Sequence, residues 1–229
     1  MQALGKLIVE CYFTPLILYA IQILTVIVSV RNRNKFPELK YFHLYPITSL
    51  FQTTIALGSM TIVDDSIDLV QHPSVTVFIL VEFLLIYLFY FRTIIKKRDR
   101  LVLKILFIGY VSYTIFNWSL NKSFFEYDQP FLVQSIALII PCLVHFLQLF
   151  NVPLGRELIS QPTFWVNVGV LFFFSSTIPL FLLVTYFSKY IYLHESLYSI
   201  NYIAYCIFFL IICKAYLCKT VTRYDYSLS

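Results

Sequence analysis

The chain predicts an all-α fold, an integral membrane bundle of seven transmembrane helices, and three observations carry that expectation. Its 229 residues are 59% hydrophobic and only 13% charged, with a mean hydropathy of +0.78, which leaves too little polar side chain to cover a water-soluble globule. The apolar residues gather into seven stretches of roughly 20, the length that crosses about 30 Å of hydrocarbon at about 1.5 Å per residue. The basic residues concentrate in alternate loops. Unmet backbone groups in lipid cost several kcal/mol each, so helices are favoured over the alternating pattern of a membrane barrel.

The spans are expected at about 7–30, 43–63, 74–95, 101–120, 130–150, 163–187 and 196–218. The first reads as a retained helix and not as a signal peptide. It is too long, carries Glu10, Pro15 and Gln22, and runs into Arg31 without a small-residue cleavage site. The linkers are short, so sequential helices should pack as antiparallel neighbours, and residues 1–229 read as a single seven-helix transmembrane domain. No Gly/Ser-rich linker, low-complexity run or transporter-type repeat interrupts them.

The basic residues give the bundle a direction. With the N-terminus outside, the inner side receives Arg31, Arg33, Lys35 and Lys40 in the first loop. The next inner loop and its flanks hold Arg92, Lys96, Lys97, Arg98, Arg100 and Lys104. Arg156, Lys214, Lys219 and Arg223 join them, and only Lys6, Lys122 and Lys189 remain outside. This asymmetry predicts N-out, C-in and an odd number of spans. The outer face is acidic, with Asp64, Asp65, Asp68, Glu126, Asp128 and Glu195. A net charge of +5 needs no nucleic acid, because anionic inner-leaflet lipid attracts the same cations. Of the 18 Tyr, those near span ends (Tyr41, Tyr45, Tyr127, Tyr186, Tyr190, Tyr192, Tyr198) read as an interfacial belt.

Polar residues inside the spans are the candidate site. An ionisable group at a helix centre costs roughly 2.5–3.5 kcal/mol on insertion scales and faces the bundle interior or a cavity. Glu82, about a third of the way down the third span, is the clearest case. It is expected to be neutral or hydrogen-bonded to another helix, with Asn117 or Asn201 as partner, and it reads either as a ligand-contacting carboxyl or as a packing bond. Asn117, Trp118, Gln134, Asn201 and Gln52 would share its outer half and could line an outward-opening ligand site; His194 and Glu195 open the seventh span nearby. A second, inner set comprises His145, Gln148 and Asn167. His145 and Gln148 stand at i, i+3, and with Asn167 they read as a polar staple or, more sharply, as a pH-sensitive switch. Lys104 and Lys214 lie near span ends, from which they can snorkel to the interface. Pro141 and Pro179 fall inside spans, and Ser175, Ser176 and Thr177 could satisfy backbone groups that Pro179 frees.

Other chemistries lack their residues. No HExxH, GxSxG, P-loop or intramembrane carboxylate pair occurs, so no catalytic residue and no enzymatic activity are expected. The five cysteines, at 11, 142, 206, 213 and 218, form neither a disulfide framework nor, with the scattered His, a metal site. No cofactor is implied.

Three stretches carry a resemblance. They are Val81-Glu82-Phe83-Leu84-Leu85 through Tyr90 to Lys96-Lys97; Pro162-Thr163-Phe164-Trp165-Val166-Asn167-Val168-Gly169 with Phe174-Ser175; and His194 through Ser199-Ile200-Asn201. Together they resemble a largely uncharacterised bacterial seven-transmembrane-helix family, similar to the membrane input regions of some sensor histidine kinases. In this chain the His of the last stretch is displaced from its Asn, and Tyr205 stands where a second polar residue is expected. The resemblance implies a multi-pass protein of the bacterial inner (cytoplasmic) membrane that senses a ligand or membrane state. Without a kinase domain, it would relay the signal to a cytoplasmic or membrane partner. A small transporter or channel subunit, or a structural subunit of a membrane complex, are the alternatives.

Overall fold

The structure, a computed structural model, describes residues 2–61, 67–121, 128–151, 158–187 and 191–218, with side chains placed for 15–58, 74–117, 119, 130–151, 158–183 and 199–218. The described residues form seven α-helices and no strand: α1 (Gln2–Asn32), α2 (Leu44–Thr61), α3 (Ile67–Thr93), α4 (Lys97–Asn121), α5 (Asp128–Phe150), α6 (Pro162–Phe187) and α7 (Ile191–Tyr216). Five contain segments long and apolar enough to cross a membrane: Pro15–Asn32, Ser74–Thr93, Pro130–Phe150, Pro162–Leu183 and Ser199–Tyr216. The chain is thus a helical, multi-pass membrane protein.

α2 and α4 carry polar residues whose partners lie on neighbouring elements. On α2, Tyr45, Ser49 and Gln52 stand at i, i+4 and i+7 and all face other helices: Tyr45 donates to Glu82, Ser49 accepts from Gln22 Nε2 at 3.0 Å, and Gln52 Nε2 donates to Ser74 at 3.3 Å. α4 begins with the charged run Lys97-Arg98-Asp99-Arg100 before its apolar body. Both helices pair lengthwise with α3. Tyr45 opposite Glu82 and Gln52 opposite Ser74 set α2 antiparallel to α3, while Phe83 on Tyr110 (4.1 Å between ring centroids) and Tyr87 on Phe107 (4.5 Å) do the same for α4.

Side-chain pairs fix the remaining register. α5 lies parallel to α3, since Gln134 meets Glu82 and Gln148 meets the backbone of Ile95, an almost constant offset along the two chains. α6 runs antiparallel to α5, with Phe131 against Phe181 at one end and Phe146 against Phe164 at the other. α7 returns along α6, from Phe173 on Tyr205 to Trp165 under Lys214. α1 packs beside both α2 and α7, closing the ring, and α4 leans on α3 and α5 from outside.

α1 shows the logic of a helix in lipid. Gln22, Thr25, Ser29 and Asn32 repeat at three- and four-residue intervals and are all buried, whereas Leu24 and Ile27 on the other side are 49% and 58% exposed. The polar stripe faces the bundle because hydrocarbon offers it no hydrogen bonds, while apolar side chains lose nothing by facing lipid tails. Thr25 Oγ1 reaches across to the carbonyl of Phe209 on α7 at 3.3 Å. Gly169 serves α6 and α7 by being small: a Cβ there would stand 3.2 Å from the Phe208 ring and 3.3 Å from Ile211.

Two expectations need correction here. Tyr45 is not interfacial; it is fully buried, its ring packed among Phe42, Phe208 and Phe209. Pro179 does lie inside α6, but the nearby hydroxyls bond the carbonyls of Phe172, Phe173 and Phe174, not that of Ser175, the group four residues before the proline. Tyr41 is exposed, with the Arg92 guanidinium 3.9 Å from the centroid of its ring. Side chains of Tyr127, Tyr186, Tyr190, Tyr192 and Tyr198 lie outside the described residues, as do those of the outer-face acids.

Every Lys and Arg with a described side chain sits at one end of the bundle, where α1, α3 and α7 end and α2, α4 and α6 begin. That end is pinned by Leu39, which is completely buried and whose carbonyl accepts from Tyr216 Oη at 3.4 Å.

Candidate functional site

Glu82 is on the buried face of α3 with no exposed surface, and each carboxylate oxygen has its own donor. Tyr45 Oη of α2 donates to Oε1 at 2.8 Å, and Gln134 Nε2 of α5 donates to Oε2 at 2.9 Å. Tyr110 Oη of α4 donates in turn to Gln134 Oε1 at 3.3 Å. Tyr205 of α7 lies within electrostatic reach of Glu82, packed against Phe173 and Phe209. One carboxyl therefore ties α2, α3, α5 and, through Gln134, α4, with α7 alongside. Donors and acceptors alternate along the chain from Tyr110 to Tyr45, which fixes the orientation of the Gln134 amide.

The expected partners of Glu82 were Asn117 or Asn201, and the structure replaces them with Tyr45 and Gln134. The physical reason is reach: a tyrosine hydroxyl stands over 6 Å from its own Cα, roughly four residues of helix rise, so Tyr45 enters from the basic end. Asn117 lies two turns beyond Tyr110 on the same face of α4, and Asn201 one turn beyond Tyr205 on α7. Both are half-buried, and Asn201 Oδ1 is buried with no hydrogen-bond partner. Gln52, bonded to Ser74, sits two turns from Tyr45 in the same direction. Along their helices Asn117, Asn201 and Gln52 therefore lie further from the basic end than Tyr110, Tyr205 and Tyr45, and neither of the hydrogen bonds to Glu82 comes from them. Trp118, His194 and Glu195 have side chains outside the described residues.

From Glu82 toward the basic end the bundle turns apolar. Ile86 and Leu138 follow Glu82 and Gln134 by one turn on α3 and α5, with essentially no exposed surface. One turn further, about 12 Å from Glu82 at about 1.5 Å per residue, come Tyr90 and Cys142. Here His145 stands edge-on to the rings of Phe89 (6.1 Å) and Tyr90 (6.0 Å), and Cys142 Sγ contacts the Asn167 carbonyl at 3.4 Å. His145 and Asn167 approach one another without a well-formed bond: His145 Nδ1 and both amide atoms of Asn167 are buried and unpartnered, and the Tyr90 hydroxyl lies beside the Cys142 thiol.

The inner set is therefore not one cluster. Gln148 turns away from His145 to the α3–α4 connection, donating to Asp99 Oδ2 at 2.6 Å and accepting from the Ile95 N–H at 3.4 Å. A charged acceptor and a free loop N–H are better partners than anything His145 offers. The Lys214 ammonium stands 5.9 Å from the centroid of the Trp165 ring, at the basic end of the bundle.

Sequence reasoning found Glu82 and Gln134 because each interrupts an apolar run. Tyr45 reads there as an interfacial residue and Tyr205 as an apolar departure from the resemblance, and Tyr110 carries no signal of its own. The i, i+4, i+7 row of Tyr45, Ser49 and Gln52 was the available signal. No protein-family model, no curated protein and no solved structure matches the chain.

Proposed function

We propose that this chain is a seven-helix membrane protein, N-out and C-in, that senses a ligand or membrane state through Glu82 and the polar residues on its outer side and transmits it to a partner at the basic end. α2 and α4 act as the sixth and seventh spans in this reading, supported by their lengthwise pairing with α3. The orientation rests on the gathering of cations at one end. The observation that carries the function is the double hydrogen bonding of buried Glu82 by residues of α2 and α5. A change at this carboxyl acts on several helices at once, and those helices end in the basic loops. The protein is non-enzymatic in this reading, and its setting is the bacterial inner membrane implied by the resemblance.

The apolar step at Ile86 and Leu138 favours sensing over transport, because it separates the Glu82 layer from the His145 layer. Proteoliposomes decide between them. The reading expects wild-type vesicles to conduct protons no faster than empty ones, with Glu82→Gln unchanged; a proton flux abolished by Glu82→Gln would establish a transporter instead.

A further inference from the structure

We propose that the groove between α3 and the start of α4 is a binding site for the phosphate of an anionic phospholipid, a separate claim from the sensing role and resting only on the membrane setting. The groove holds about 250 Å³ and is lined by Phe91, Lys97, Arg100, Leu101 and Lys104. Three of the five are cations and none is an acid. Asp99, the one carboxylate on α4, is engaged by Gln148 at 2.6 Å. Arg100 is held in place by its Nε–H donating to the Ile94 carbonyl at 2.7 Å, which leaves the far side of the guanidinium for a phosphate oxygen. The Arg100 guanidinium and the Lys104 ammonium lie 5.8 and 6.0 Å from the centroid of the Phe91 ring, so this aromatic floor draws the two charges together.

The apolar continuation of the groove identifies a lipid and not free phosphate as the occupant. Lys97, Leu101, Lys104 and Ile108 follow one another along a single face of α4, and Leu101 and Ile108 are 58% and 63% exposed. Cations at the bundle end with exposed aliphatic side chains running away from them match a phosphate joined to an acyl chain. A soluble anion would find no use for the second half of that stripe.

The test is native mass spectrometry of the full chain in a neutral detergent, titrated with phosphatidylglycerol, with phosphatidylcholine, and with phosphatidylglycerol plus excess inorganic phosphate. One phosphatidylglycerol should be retained with about tenfold preference over phosphatidylcholine, which is about 1.4 kcal/mol. Lys97→Gln with Lys104→Gln should remove the preference, as should Leu101→Glu, which puts a carboxylate in the wall. Arg33→Gln with Lys35→Gln, cations elsewhere at the same end, should leave it intact. Equal retention of both lipids, equal loss in the Arg33/Lys35 control, or displacement of lipid by phosphate would each overturn the site.

Discussion

At the scale of single residues, the consequence of Glu82 follows from what its removal leaves behind. Glu82→Leu would strand Tyr45 Oη and Gln134 Nε2, two donors in fully buried side chains, at about 1–3 kcal/mol each. Glu82→Gln is milder, because the Gln134 amide can flip and Tyr45 can rotate its hydroxyl so that each group again meets a complementary one. Thermal unfolding in detergent should therefore rank wild type above Glu82→Gln, and Glu82→Gln above Glu82→Leu. Tyr45→Phe should cost about 1 kcal/mol, in line with interhelical bonds in membranes, and lose that cost in a Glu82→Leu background. Full additivity of the two would show that the bond contributes nothing. How much of this was legible depended on residue type. A carboxyl in an apolar run announces itself, whereas a tyrosine near a helix end has two readings, interfacial anchor or inward donor, and only its position relative to Ser49 and Gln52 separates them.

At the scale of helices, polar stripes and small residues decide which faces meet. α1 was legible as a span from hydropathy, but the inward stripe of Gln22, Thr25, Ser29 and Asn32 says more, because it fixes which side meets α2 and α7. The α6–α7 contact depends on Gly169, whose Cβ position is 3.2 Å from the Phe208 ring. Gly169→Leu should push the helices apart and destabilise by about 1–3 kcal/mol, read as an earlier melting transition, while Gly109→Leu, with nothing within 4 Å of its Cβ position, should melt close to wild type. Equal melting of the two variants would contradict the close packing. The helix partners were not legible from sequence. Short linkers predict neighbours in chain order, and α1 beside α7 or α3 beside α5 are long-range pairings that only the complementary surfaces determine.

At the scale of the whole molecule, the buried Glu82 carboxyl, the apolar step at Ile86 and Leu138 and the basic end follow one another along the bundle. The orientation makes its own prediction: in intact cells, Lys122→Cys should react with an impermeant thiol reagent added outside, and Lys35→Cys and Arg98→Cys should react only after the membrane is opened. The reverse pattern would invert the bundle. The central claim, that the Glu82 hub governs the disposition of the helices at the basic end, is tested most directly by pulsed electron spin resonance distances between labels at Lys35 and Arg98 in nanodiscs. Glu82→Gln, in a protein that remains folded, should shift the mean distance or its distribution by about a few ångströms, the scale of helix displacements in switching proteins. Superimposable distributions for wild type and Glu82→Gln would contradict it and reduce Glu82 to a packing bond.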